Sequence, residues 1–273
     1  MAKVKTIKKI IKINILVDNE KCWSLNIVRR LIPYLKKNKI DINHIWILPN
    51  KLSNLKDKNI SIWYLKTFGI LVFIKMSIFY TLAIVNNFFN RVNNFKDLAL
   101  KYNINYTYIN SINNRYLFKN INKNNNKISL LLTNHILKKK LINQKNHFFI
   151  NKHSSMLPAY KGLMPYLWTT IDNADNGITF HLVNEKIDSG KIIFQKKIKI
   201  KFNSMIEFYL DVYARFPNFF LQSLKNLEKK IFINPVNKKS YYSIPKQEDY
   251  NKFLKKKGNI ILLSDIFKIN KLF

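Results

Sequence analysis

Residues 148–195 decide how this chain is read: FFINKHSSMLPAYKGLMPYLWTTIDNADNGITFHLVNEKIDSGKIIFQ. A short apolar run, Phe148-Phe149-Ile150, leads into Asn151 and His153. One residue separates those two, so on an extended segment both side chains leave the same face. Pro158, Gly162 and Pro165 keep the following connection irregular. Residues 163–171 fit a short helix. Gly177 then opens an alternating strand, Ile178-Thr179-Phe180-His181-Leu182, and a loop with Asp188, Ser189 and Gly190 follows. The chain has 5 glycines. Gly162, Gly177 and Gly190 all fall in this stretch, which marks turns demanded by a site.

The stretch holds, in order, Asn151-Lys152-His153-Ser154-Ser155-Met156-Leu157-Pro158, Tyr160-Lys161-Gly162, Gly177-Ile178-Thr179-Phe180-His181 and Asp188-Ser189-Gly190. It resembles the formyltransferases that use 10-formyltetrahydrofolate, which carry N-x-H-x-S-x-L-P, Y-[RK]-G, G-x-T-x-H and D-[TS]-G in that order. Ser154 stands where many members have proline, a difference in loop stiffness more than in chemistry. The resemblance is close over residues 148–195 and looser before them and over the helix after Ser204. It implies an α/β fold: a Rossmann-like formyltransferase domain with a mostly parallel sheet over residues 1–203, and a small C-terminal extension over 204–273.

Formyl transfer has an amine attack a formyl carbon. A tetrahedral oxyanion forms, the attacking nitrogen loses a proton, and the folate nitrogen gains one. An amide can donate to the oxyanion, a neutral imidazole can take a proton near pH 7, and a carboxylate can favour the imidazolium and hold a water. The resemblance assigns these roles to Asn151, His153 and Asp188. It also places the folate pterin against the backbone after the strand at 127–132, here His135, Ile136 and Leu137. Taken singly, each residue has a plainer role: Asn at a strand end forms turns, a lone His is structural, and Asp before Ser-Gly caps a turn. Their joint occurrence at the family's spacing favours catalysis. His135 also reads as a partly exposed loop histidine. Thr179 and His181 share a strand face, either supporting the folate-side loop or packing.

At 273 residues the chain accommodates one full α/β domain and a smaller addition. The formal net charge of +33 is far from average. Its lysines are dispersed more than gathered, which favours compositional drift over a dedicated nucleic-acid or lipid surface, although any such surface attracts anions in a salt-dependent way. The single cysteine, Cys22, excludes an internal disulfide and fits a reducing cytoplasm. The basic N-terminus lacks the apolar core and cleavage site of a signal peptide. No metal site is expected: 5 histidines and 1 cysteine show no pair at ligand spacing. Ser155 lacks the surroundings of a hydrolase nucleophile.

Read in order, Ile11-Lys12-Ile13-Asn14-Ile15-Leu16-Val17 is a first strand, with no GxGxxG after it. Residues 22–38 are helical, with Pro33 inside the pattern. Ile45-Trp46-Ile47-Leu48 is a second strand. Residues 94–102 read as helix, 106–109 as strand, 113–126 as helix or loop, 127–132 as a buried strand and 191–200 as another. A long helix starts at Ser204, with Glu207 placed for a capping box and Pro217 for a bend. Residues 68–85 are apolar apart from Gly69, Lys75, Ser77 and Thr81. A buried or groove-facing helix, an interfacial helix on a membrane and a membrane span compete for this segment. Lys75 near its middle weighs against the span.

These readings converge on a cytoplasmic N-formyltransferase, with 10-formyltetrahydrofolate as co-substrate and a small amine or nucleotide-linked amino sugar as acceptor. The residues after 201 look too few for both the long helix and a tRNA-binding barrel. The rivals are a methionyl-tRNA formyltransferase with tRNA as partner, a formyltetrahydrofolate hydrolase, and a non-catalytic relative that binds a membrane or partner. The hydrolase would need a regulatory domain before a first strand that starts near Lys9. Peripheral membrane contact through 68–85 is the further expectation.

Overall fold

The computed structural model describes residues 11–52, 55–122, 127–198, 200–236 and 239–273. The part of the 113–126 reading beyond Asn122 lies outside the described residues. Seven strands of the described chain form one sheet: β1 Ile11–Asp18, β2 Ile40–Leu48, β3 Asn105–Tyr108, β4 Ile128–Leu132, β5 Phe148–His153, β6 Asn176–Leu182 and β7 Ile192–Ile198. Their spatial order is β7-β6-β5-β4-β1-β2-β3. The five strands from β5 to β3 run parallel. β6 pairs antiparallel with β5 and with β7. This is the Rossmann-like, mostly parallel α/β fold that the strand–helix rhythm implies.

A parallel sheet is covered on both faces, so its strands must be apolar on both. Ile15, Val17, Ile45, Leu130 and Ile150 enter one core, while Leu16, Trp46, Leu131 and Phe149 enter a second on the opposite face. β2 starts five residues before the apolar run that marks it in the sequence. Its polar residues have lateral partners: Asn43 donates to Asn14 at 3.1 Å, and His44 Nε2 lies 2.9 Å from Thr107 Oγ1. Those bonds let polar residues extend a strand that apolar patterning alone would begin later.

Helix α1, Trp23–Lys37, buries Leu25, Val28, Leu31, Ile32 and Leu35 on the sheet and continues through Pro33. The 68–85 segment is not one helix. α2, Asp57–Phe68, ends at Gly69, whose φ of +83° lies in the left-handed region, and α3, Ile70–Phe89, starts anew. Helix α4, Met205–Glu228, packs its aromatic face, including Phe208, Phe216 and Phe220, into the first core. Ser204 Oγ accepts from Glu207 N at 3.0 Å, while the Glu207 carboxylate accepts from Asn203 N at 2.9 Å, one residue before the expected capping-box partner. The remaining C-terminal residues return to the same body. Tyr241–Tyr242 pairs with Lys161–Gly162, and Phe253, Ile260, Ile261 and Leu272 are buried in the first core.

Candidate active site

From β1 the chain proceeds to β2 on one side, and β4 lies on the other. In open α/β sheets a crevice forms where the order reverses, beyond the carboxyl ends of the strands. A cleft of about 620 Å³ opens there. Asp18 ends β1, Thr133 and Asn134 follow β4, and Asn151 and His153 end β5; all line the cleft. His135, Ile136 and Leu137 form another part of its wall, and Asp188 closes it from the loop after β6. The six residues singled out from the sequence therefore border one cavity.

His153 is buried, with Nε2 2.6 Å from the Tyr160 carbonyl and Nδ1 3.4 Å from Asp188 Oδ2. A carbonyl only accepts, so Nε2 carries the hydrogen and the neutral ring turns its Nδ1 lone pair towards the carboxylate. Two acceptors facing each other favour a proton between them. Nδ1 is thus the atom suited to take a proton, and Asp188 is placed to stabilise the imidazolium that results. Burial pushes the His153 pKa down, opposed by Asp188 and the Tyr160 carbonyl. Burial also acts to raise the Asp188 carboxyl, yet His153, His181 and the Gly162 amide hold it well below the usual carboxylate range.

Three local features place Asp188. Its backbone is left-handed, with φ of 46°, a conformation Asp tolerates better than most residues. Gly162 N donates to its Oδ2 at 3.0 Å. His181 Nε2 lies 3.5 Å from Oδ1, while its Nδ1 is 2.9 Å from the Leu182 carbonyl. Asn151 accepts from Lys152 N through Oδ1 at 2.9 Å, which leaves its Nδ2 donor for the cleft. Thr179, beside His181 on β6, donates to the Ser155 carbonyl at 2.7 Å and accepts from Gln195 Nε2 at 3.0 Å. It fixes the loop after β5, whereas His181 belongs to the site.

Two residues that motif reading leaves aside also border the cleft. Lys152, between Asn151 and His153, sends its ammonium to Ser154 Oγ at 2.8 Å and Tyr213 Oη at 3.3 Å. It also lies 4.7 Å from the centroid of the Tyr213 ring. Burial pushes its pKa down to about 7, partly offset by Asp188. The sequence signal was a lysine between the two polar residues, Asn151 and His153, that end the strand. Asp18 accepts from Thr133 Oγ1 and, at 3.1 Å, from Asn134 N. Burial raises its pKa to about 6 against those bonds. Its position at the end of the first strand was the available clue. On the other wall, His135 donates through Nε2 to the Pro49 carbonyl at 2.9 Å, and the Ile136 carbonyl accepts from Asn113 at 3.0 Å. The 135–137 backbone is held in place by these bonds.

The formyl transferase family model matches residues 119–216. A methionyl-tRNA formyltransferase of Thermodesulfovibrio yellowstonii is 38% identical over 66 residues, 24% of this chain and 21% of that protein. One from Caldicellulosiruptor saccharolyticus is 27% identical over 154 residues, 55% of this chain and 50% of that protein. The chain thus spans half or less of the length of these curated relatives. In fold it is similar to a sugar N-formyltransferase from a Shewanella species, with TM-score 0.54, 16% identity and coverage of 91% of this chain and 88% of that one. It is also similar to a glycinamide ribonucleotide transformylase from Symbiobacterium toebii, with TM-score 0.56, 12% identity and coverage of 83% and 92%. Residues 119–216, which hold Asn151, His153, His181 and Asp188, are the part of this chain that is similar to the formyl transferase family.

Proposed function

We propose that the protein is an N-formyltransferase that moves a formyl group from 10-formyltetrahydrofolate to an amine, with a nucleotide-linked amino sugar or another small amine as acceptor. The carrying observation is the buried His153 Nδ1 facing Asp188 at 3.4 Å beside the Asn151 amide, at the rim of a cleft at the sheet's switch point. The acceptor nitrogen attacks the formyl carbon and its lost proton passes to His153 Nδ1. The carbonyl oxygen becomes an oxyanion that accepts from Asn151 Nδ2. Collapse of the tetrahedral carbon breaks its bond to folate N10, which leaves as the amine by taking up the proton held on His153 Nδ1 and so returns the imidazole to its neutral form. Charge on His153 is offset by Asp188 throughout. No covalent enzyme intermediate is needed. The folate's pterin is assigned to the wall at His135, Ile136 and Leu137.

The small-amine acceptor is favoured by the way residues 241–272 fold back onto the catalytic sheet, filling its core without forming a separate body. A second reading, methionyl-tRNA as acceptor, is favoured by the identity to curated proteins of that name. One experiment separates them. Purified protein is incubated with 10-formyltetrahydrofolate and, in parallel, nucleotide-linked amino sugars, other small amines, initiator methionyl-tRNA or no acceptor. Formylated small amine is the expected product. Exclusive formylation of the tRNA selects the second reading, and folate turnover without an acceptor selects hydrolysis. Asn151→Ala, His153→Ala and Asp188→Ala are each expected to lower turnover by at least about a hundredfold. Folded variants with near-native turnover overturn the assignment.

A further inference from the structure

Helix α3 carries large apolar residues on every side, and the fold covers only one side of it. Phe79, Ala83 and Asn87 are buried, and Val72, Met76 and Tyr80 pack on the core. This inward face is pinned. Phe79 stacks on Trp23 at 5.4 Å, Asn87 donates to the Lys21 carbonyl at 2.9 Å, and Tyr80 Oη donates to the Glu20 carboxylate. On the opposite side Leu71, Ile74, Ile78, Leu82, Val85 and Phe89 recur every three or four residues and are exposed, Leu71 at 72% and Phe89 at 77%. That spacing makes one continuous stripe, about 27 Å long from Leu71 to Phe89 at the helical rise. The outward face carries no charge; Ser77 and Thr81 are its polar members, and Ser77 is bonded to the Phe73 carbonyl at 2.8 Å. A soluble surface does not carry so long an apolar stripe without a partner.

The charge distribution selects the partner. Residues 59–96 contain Lys66, Lys75, Arg91 and Lys96 and no Asp or Glu. Lys75 stands at the border of the stripe, where its stem can lie along apolar surface and its ammonium reach out to headgroups. A second copy would bring another +33 against the first, whereas an anionic bilayer attracts such a body. We propose that α3 docks the enzyme on anionic membranes, lying in the interface plane with its outward stripe among the acyl chains. The helix does not cross the bilayer, because its inward face stays packed on Trp23 and α1. Glu20 and Trp23, which hold that inward face, also line the catalytic cleft, so docking sets the cleft close to the membrane surface.

Flotation with phosphatidylglycerol–phosphatidylcholine vesicles, and with phosphatidylcholine alone, tests this. The native protein is expected to float with the anionic vesicles. Leu71→Ser, Ile78→Ser and Val85→Ser combined should weaken that binding by at least about tenfold and leave formylation of a soluble acceptor unchanged. Cys22 is buried, so Leu71→Cys accepts an environment-sensitive dye selectively in the otherwise native protein. The dye should blue-shift with anionic vesicles, whereas one at Lys229→Cys should not. Equal binding by the triple variant, or no shift at Leu71→Cys, means that dispersed lysines alone do the binding and overturns the proposal. So does a native dimer that the triple variant converts to monomer without vesicle binding, since a second copy then covers the stripe.

Discussion

A lysine held half-buried beside His153 is costly to keep, and Lys152 shows where that cost goes. Its pKa falls to about 7 from the ordinary 10.5 because burial disfavours the ammonium. Between those values the unfolded chain binds a proton that the folded chain does not, so native stability rises with pH across that window; below about 7 the full penalty applies. Lys152→Met removes that penalty. The variant should be more stable than the native protein at pH 6, by up to a few kcal/mol, and the gap should close towards pH 10. Chemical denaturation at pH 6, 8 and 10 checks this, and a gap independent of pH contradicts it. Lys152 also holds the His153 pKa down. The acid limb of the rate profile, where His153 loses its free lone pair, should therefore move to higher pH in the variant.

At the scale of elements, the turn after β6 carries the site more than any helix does. A Cβ on Gly190 would lie 1.6 Å from the Leu182 carbonyl oxygen, which is backbone and cannot rotate away. Leu182 N also donates to the Lys191 carbonyl at 2.9 Å across the same turn. Gly190→Ala must open the turn and withdraw Asp188 from His153. We expect a stability loss of about 1–3 kcal/mol and at least about a tenfold fall in turnover. Gly69→Ala is the contrast. No atom lies within 4 Å of a Cβ there, so only the left-handed φ of +83° opposes it. It should cost about 1–3 kcal/mol and leave turnover unchanged. Equal effects of the two substitutions on turnover would deny the turn its role.

At the scale of the whole molecule, a net charge of +33 on a body with 15 acidic residues acts on every polyanion it meets. Binding to uncharged tRNA is expected to be non-specific and to weaken by at least about tenfold between 50 and 200 mM salt, through counterion release. Filter binding over that range measures the slope. A salt-insensitive preference for initiator methionyl-tRNA over the uncharged form would instead indicate a built tRNA site and restore that acceptor.

Local spacing was enough to locate the stretch that lines the candidate site and to order the parallel sheet. Asn151 and His153 are adjacent on one strand face, Asp188 follows a strand and a glycine-dependent turn, and apolar runs set the order of strands; all of this is local spacing. Tertiary structure decided what local spacing cannot carry. His181 joins Asp188 only because β6 pairs antiparallel with β5, setting His181 opposite Asn151. Lys152 has its ammonium covered only because α4 lays Tyr209 and Tyr213 over it. Asp18 reaches Thr133 only because β1 and β4 are neighbours far apart in sequence. The apolar 68–85 segment likewise had no assigned face until Gly69 broke it and Trp23 claimed one side of α3. Hydrophobic periodicity shows how many faces a helix has, while packing against distant residues decides which of them is left to solvent.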